Sequence, residues 1–277
     1  MSPTKTLFIT GVSSGFGNAL AGASLAAGHR VIGTVRNQDD LQAFQALSME
    51  NAFAVILDVT DFNRIDSVIV DVEATHGPVD VLINNAGYGH EGIFEESSLE
   101  EMRRQFDVNV FGAVAVTKAF LPFFRQRRAG HILNITSMGG TITMPGIAYY
   151  CGSKFALEGI SDTLSKELHP FNIFVTAVAP GSFRTDWAGR SMQRTPRSIA
   201  DYDASFDPVR KAREEKSGKQ LGDPHKAAQA ILKIIASSAP PAHLLLGSDA
   251  LSLVRHKLQR AASEIDQWEA LTRSTDH

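Results

Sequence analysis

Short apolar runs rich in β-branched residues recur along this chain, and segments of helix length separate them. The runs are Thr6–Thr10, Val31–Val35, Ala54–Leu57, Val79–Ile83, His131–Ile135, Phe174–Val178 and His243–Leu246. Helix-length segments between them include Gly15–Ala27, Phe62–His76, Leu99–Arg125 and Ala148–Leu168. A continuous apolar run suits a strand buried on both faces. Strands separated by helices need crossover connections, which are right-handed and set the strands parallel. The pattern predicts an α/β chain with one doubly wound sheet of about seven parallel strands and helices on both faces. No internal repeat and no Pro/Gly linker divides the sequence, so residues 1–277 read as a single unit.

One stretch breaks the rhythm. Residues 183–220 are polar and show no clear strand, with apolar Phe183, Trp187, Met192 and Phe206 scattered through them. Connections of this length are commonly binding loops or lids. The segment is therefore expected to close over a substrate, and a surface helix pair is the alternative. Composition excludes other classes. The net charge is −3 and no basic stripe runs through the chain, which argues against a nucleic-acid partner. No run approaches the roughly 18 apolar residues of a membrane span, so no membrane partner is expected. A single cysteine, Cys151, allows no intrachain disulfide and fits a reducing, cytoplasmic location. The histidines are scattered, and no ligand-spaced cluster calls for a metal.

Thr10-Gly11-Val12-Ser13-Ser14-Gly15-Phe16-Gly17 joins the first run to the first helical segment. Gly11, Gly15 and Gly17 permit a tight turn and close approach of a pyrophosphate to the backbone. The helix start then offers free N–H groups and partial positive charge to that anion, and Ser13 and Ser14 add hydroxyl donors. A glycine-rich strand–helix turn without a ligand is the plain alternative. In NAD binders an acid about 20 residues beyond the loop holds the ribose hydroxyls. Here that region reads Val35-Arg36-Asn37. A guanidinium suits a 2′-phosphate, which favours NADP(H) over NAD(H). The competing reading leaves Arg36 in a solvated turn, with Asp39 or Asp40 reaching back.

Tyr150 and Lys154 are four residues apart and share a face if a helix starts near Ala148. A free tyrosine titrates near ~10 and is a poor base at neutral pH. A nearby ammonium favours the phenolate, so Lys154 is expected to lower the Tyr150 pKa toward its working range. Ser137 follows an apolar run and so falls at the C-terminal end of a strand, where ligands sit in open parallel sheets. Its hydroxyl can hold a substrate oxygen. The plain alternative is a half-buried tyrosine beside a solvated lysine. Cys151 is expected to be an inert half-buried thiol rather than a reactive one.

With these motifs in place, the chain resembles the short-chain dehydrogenase/reductase family over roughly residues 5–250. The motifs fall in the family's order: TGVSSGFG at 10–17, LDVT at 57–60, NNAG at 84–87, VNVFG around Asn109, ITS at 135–137, YCGSK at 150–154 and PGSFRT at 180–185. The resemblance implies a Rossmann-type fold and hydride transfer between NADP(H) and a carbonyl or alcohol. It implies that Tyr150 is the general acid/base and that Lys154 holds the nicotinamide ribose. Ser137 would orient the substrate oxygen, and Asn109 would anchor a proton-relay water. It implies that Gly11 to Gly17 (with Phe16), Arg36, Asp58, Val59, Asn85, Ala86, Gly87, Pro180, Gly181 and Thr185 border the cofactor. Asn84 reads as a structural link between strands, and Asp58 has an alternative role at a helix start.

The substrate pocket is expected to use Ser137, Met138, Gly139, Met144, Tyr150, Phe183 and Trp187. Most of these are apolar, and SMGG with the long 183–220 segment looks like the 17β-hydroxysteroid and retinol dehydrogenase branch. A polar substrate held by His90, Glu91 and Arg184 is the alternative. The resemblance also implies a homodimer or homotetramer through the two long helical segments. Two other functions compete with the reductase. A sugar-nucleotide epimerase or dehydratase would carry a different glycine loop. A non-catalytic nucleotide sensor or scaffold would tend to lose the tyrosine or lysine.

Overall fold

All four side chains of strand β1 (Thr6–Ile9) are buried, and β1 is an inner strand of the main sheet. The computed structural model describes residues 3–185, 187 and 189–276. Met1, Ser2, His277 and, within the polar segment, Asp186 and Ala188 lie outside the described residues. The chain continues through α1 (Gly15–Ala26), β2 (Arg30–Val35), α2 (Gln38–Gln45), β3 (Ala52–Ile56), α3 (Phe62–His76), β4 (Val81–Asn84) and β5 (Gly89–Glu91). Next come α4 (Leu99–Phe106), a π-turn at Asp107–Gly112, α5 (Ala113–Arg127), β6 (Gly130–Ile135) and α6 (Ala148–Leu168). The last elements are β7 (Ile173–Pro180), β8 (Met192–Arg194), α7 (Asp203–Glu215), α8 (Pro224–Ile235), β9 (His243–Leu246) and α9 (Ser248–Arg273).

The main sheet has seven strands in the order β3-β2-β1-β4-β6-β7-β9, and every pairing is parallel. This is the Rossmann-type sheet expected from the sequence. The period of two divides each strand between two cores. Leu7, Ile9, Val31 and Ile83 face one layer with Leu20 of α1 and Ile231 of α8. Phe8, Ile32 and Leu82 face the other with Ile69 of α3 and Phe120 of α5. Phe8 and Phe120 meet edge to face at 5.0 Å. Within α3, buried Ile65, Val68, Ile69 and Val72 form one stripe at helical spacing. The 99–127 stretch has the length and apolarity of a membrane span, yet Val116, Phe120 and Phe124 on it are fully buried in the second core.

Two elements depart from expectation. The helix expected over Leu99–Arg125 is interrupted by the π-turn, whose extra residue turns buried Asn109 inward; such turns often mark functional sites. The 183–220 segment holds a short strand, β8, which pairs in parallel with β5, and the helix α7. A strand of three residues is too short to show a period in the sequence. Charge fixes this arm to the body. Glu91, 1% exposed, receives Arg194 Nε at 3.1 Å, Arg210 Nε at 3.5 Å and the Arg213 guanidinium. Glu96 accepts from the backbone N–H groups of Ser198 and Ile199 at 2.8 Å each and from Arg197 Nε at 2.9 Å. Phe206 of α7 is 2% exposed and lies so close to Gly146 (φ +76°) that a Cβ there would meet its ring at 2.0 Å.

Candidate active site

The chain reverses direction across the sheet between β1 and β4, and the motifs gather at the C-terminal ends of the strands beside this switch, where open α/β sheets bind ligands. After β1, Gly11 (φ +71°) and Gly15 (φ +57°) adopt left-handed conformations that favour glycine. Gly17 is required for a different reason. A Cβ there would sit 2.2 Å from the Gly11 carbonyl oxygen and 2.4 Å from Asn85 Nδ2. Asn85 Nδ2 donates to the carbonyls of Thr10 and Gly11, each at 2.9 Å. The backbone N–H groups of Asn85 and Ala86 donate to Thr10 Oγ1, and Gly11 N–H donates to Thr34 Oγ1. Ser14 is the N-cap of α1 but makes no side-chain cap hydrogen bond, so the helix start keeps its donors. Thr10 and Thr34 were not singled out from sequence. A lone threonine in an otherwise aliphatic strand is the signal that marks Thr34.

Arg36 is exposed at the end of β2. Asp40 is engaged with Asn37, accepting from its Nδ2 at 2.9 Å and donating its backbone N–H to Asn37 Oδ1 at 2.8 Å, which caps α2. Asp58 accepts from the N–H and hydroxyl of Thr60 at 2.9 and 2.7 Å, shaping the turn before α3. Val59 is buried against Gly112. Asn84 bridges Thr117 and Asn134, the structural link expected of it. After β7, Gly181 lies where a Cβ would meet Asp249 Oδ1 at 2.2 Å, and Ser182 N–H donates to Asp249 Oδ2. Thr185 comes next to Gly15: a Cβ on Gly15 would be 3.8 Å from the Thr185 Cβ. The segment from Pro180 to Thr185 thus crosses the glycine loop.

Ser137, Tyr150 and Lys154 come together beside β6 and α6. All three are buried, at 9%, 7% and 6% exposure. Ser137 Oγ accepts from Gly139 N–H at 3.0 Å. A Cβ on Gly139 would stand 3.3 Å from both Ser137 Oγ and Tyr150 Cε1, so a side chain there would crowd the pair. Lys154 Nζ donates to the Ile135 carbonyl at 2.8 Å and lies 5.8 Å from the Tyr150 ring centroid. Asn109 clamps Tyr88, accepting from its N–H and donating to its carbonyl, each at 3.1 Å, and also donates to Ser153 Oγ at 3.1 Å. Gly87 separates Asn109 from Lys154; a Cβ there would be 3.0 Å from Asn109 Oδ1 and 3.7 Å from Lys154 Nζ.

The electrostatics differ from the sequence expectation. Burial pushes the Tyr150 phenol up to about 12, and the Ser137 and Trp187 side chains offset only part of this. Burial also lowers Lys154 to about 8, against the raising effect of Glu158. Burial at Tyr150 thus outweighs the effects that oppose it. The Lys154 ammonium is weakened by the same burial and is directed at the Ile135 carbonyl. Burial likewise raises the Cys151 thiol, which fits an inert side chain.

The expected substrate residues have these neighbours. Phe183 packs edge to face on Phe16 at 5.5 Å and against Gly222, so it supports the glycine loop. Met138 packs with Ile142, Ala250 and Val254 under α9. Trp187, Met144, Ile147 and Cys151 do surround Tyr150, with the Trp187 ring 4.9 Å from the tyrosine ring. The polar alternatives are engaged in internal links. His90 meets Thr195 Oγ1 at 3.0 Å and stacks on Tyr149, Glu91 is bound by arginines, and Arg184 donates to the Gln220 and Leu221 carbonyls.

The family model described as short chain dehydrogenase matches residues 5–195. The chain belongs to the short-chain dehydrogenase/reductase family. The structure of a short-chain dehydrogenase from Streptomyces avermitilis is 40% identical, with a TM-score of 0.92 over 99% of this chain and all of that one. Among curated relatives, Oxidoreductase BOA17 of Botryotinia fuckeliana is 36% identical over 97% of this chain and 98% of its own length. The 3-ketodihydrosphingosine reductase of Bacteroides thetaiotaomicron is 37% identical over 88% of each chain. Human retinol dehydrogenase 8 is 36% identical over 86% of this chain and 79% of its own. Two related structures name their cofactors. A serine dehydrogenase complexed with NADP+ is 25% identical, with a TM-score of 0.75 over 87% of this chain and 94% of that one. A Burkholderia phymatum family member in complex with NAD is also 25% identical, with a TM-score of 0.79 over 91% and 92%. The protein is a nicotinamide-dependent oxidoreductase acting on a small molecule. The residues of this short-chain dehydrogenase/reductase fit such a cofactor. Gly11 and Gly15 hold the loop in left-handed turns, the α1 start keeps free donors, and Thr185 lies across Gly15.

Proposed function

We propose that this short-chain dehydrogenase/reductase is an NADP(H)-dependent carbonyl reductase or alcohol dehydrogenase for an apolar substrate, with Tyr150 as general acid/base. The observation that supports it most is the convergence of buried Ser137, Tyr150 and Lys154 at the C-terminal end of β6. When bound, the nicotinamide supplies or accepts the hydride. In reduction Tyr150, a neutral phenol at pH 7 with its pKa near 12, donates its proton to the substrate oxygen. Ser137 Oγ donates a hydrogen bond to the same oxygen as negative charge develops, an effect worth on the order of 3 kcal/mol. Lys154 keeps an ammonium beside the ring below its pKa of about 8 and stabilises the phenolate left behind. Asn109, fixed on Tyr88 and Ser153, holds the backbone on the path by which that proton is replaced. Oxidation reverses these steps.

Arg36 is the residue we assign to the 2′-phosphate. Its exposure and the commitment of Asp40 to Asn37 support NADP(H). The residues around Tyr150 are apolar, and two relatives are named for a sphingoid ketone and for retinol. The 183–220 arm acts as the lid, with Trp187 against Tyr150. The α5–α6 face, where Leu121, Leu157 and Leu164 line a surface groove and Phe111 and Phe155 are exposed, serves as the oligomer interface. A panel of long-chain ketones, aldehydes and alcohols, followed by nicotinamide absorbance with NADPH and with NADH, tests the reading. Turnover of apolar ketones with NADPH is expected. Arg36→Ala should weaken NADPH binding by at least about tenfold and leave NADH binding unchanged. Equal loss for both cofactors would contradict the role of Arg36.

A further inference from the structure

Helix α9 continues past the sheet, and most of it is exposed. It runs for 26 residues, of which only Ala250 and Val254, near its start, are buried. Beyond them Leu258, Ile265, Trp268 and Leu271 are 55 to 69% exposed. Isolated helices of this length are marginal in water, and most helical stability in proteins comes from packing an apolar face. Beyond buried Val254, exposed Leu258, Ile265 and Trp268 continue such a face. Leu251, Val254, Leu258, Ala261, Ile265, Trp268 and Thr272 alternate steps of three and four residues, the repeat of a helix that pairs with another helix.

Charge along the helix selects the partner and its direction. Arg255, His256, Lys257 and Arg260 lie in the first half beside one acid, Asp249, and Glu264, Asp266 and Glu269 in the second beside one base, Arg273, which pairs with Glu269 at 2.7 Å. On the seam's flanks stand Arg255, Lys257, Glu264 and Glu269. A parallel copy would place Glu264 opposite Glu269 of its partner. An antiparallel copy brings the basic half of each helix onto the acidic half of the other, so the surface complements itself, as a two-fold interface requires. An anionic membrane surface fits poorly, because it favours a polar face that is basic throughout. We propose that α9, from Arg255 onward, pairs antiparallel with α9 of a second copy of this chain.

The test uses the full chain with two charge variants and measures mass by light scattering across a concentration series. In Arg255→Glu/Lys257→Glu the antiparallel faces become acid on acid, and in Glu264→Lys/Glu269→Lys they become base on base. Each variant alone should associate through this face at least about tenfold more weakly than the unaltered protein. An equimolar mixture of the two should regain the lost association, because every facing pair is again opposite in sign. The α5–α6 face is unchanged in these variants, so it sets whatever mass remains. Leu258→Glu/Ile265→Glu should lose the α9 association without rescue by either variant. The proposal is overturned if all these variants keep the mass of the unaltered protein. It is overturned equally if the mixture shows no rescue, or if the unaltered chain stays unpaired through α9 and binds phosphatidylserine vesicles.

Discussion

The glycine-loop wall and the 183–220 arm are held in place by different physical means. The loop is fixed by hydrogen bonds between side chains and backbone and by approaches too close for any side chain: Asn85 and Thr10 tie β4 to the loop, and Gly17 leaves no room for a methyl group. The arm is fixed by charge, with Glu91 among three arginines and Glu96 beneath Arg197. A wall built from backbone geometry suits a cofactor whose shape does not vary. A wall built from side-chain ion pairs can be retuned residue by residue, which suits a substrate-facing element.

That contrast can be broken first at the loop. Gly17→Ala should abolish measurable NADPH binding and lower stability by at least the roughly 1–3 kcal/mol of an overpacked site, because its methyl would meet backbone rather than a mobile side chain. Nicotinamide titration with thermal melting reads both, and wild-type affinity would refute the close-approach argument. Glu91→Gln is the matching lesion in the arm. It removes the 1%-exposed carboxylate that Arg194, Arg210 and Arg213 share, leaving Glu214 beside the first two, and removing one partner of a buried pair costs about 3–5 kcal/mol. The loss should be local. KM for the carbonyl substrate should rise at least tenfold with NADPH affinity unchanged, whereas a parallel fall in NADPH affinity would show that the two walls are not independent.

The smallest effect lies in pH. Lys154 is lowered to about 8 by burial, so its ammonium is present below that pH and lost above it, while Tyr150 near 12 stays protonated throughout. Reductive kcat/KM should therefore be flat near pH 6–7 and fall as pH rises through about 8. A rate that climbs through the same window would assign the limb to another group.

Most of the sheet was legible in the sequence because strands buried on both faces leave continuous apolar runs, and all seven became strands of the main sheet. The motif residues were equally legible, since Gly17, Ser137, Tyr150 and Lys154 sit at element ends that the alternation locates. What escaped depends on contacts between segments distant in sequence. The π-turn that turns Asn109 inward has no composition of its own. The β5–β8 pair spans three residues on each side and is held by Glu91 and Arg194 across 103 positions. The apolar partners that α9 gives Met138 and Phe16 gives Phe183 have no local pattern either. A spacing of four shows that a lysine is near Tyr150 but not how far burial desolvates both groups.

The central claim is that Tyr150 moves the proton while other residues hold the cofactor, and Tyr150→Phe tests it most directly. Its NADPH dissociation constant and its turnover of the best ketone in the panel should be measured on the same preparation. The account predicts NADPH binding within about twofold of the unaltered protein and turnover reduced by roughly 10²–10⁴. Turnover retained at a wild-type level in a protein that still binds NADPH would contradict it.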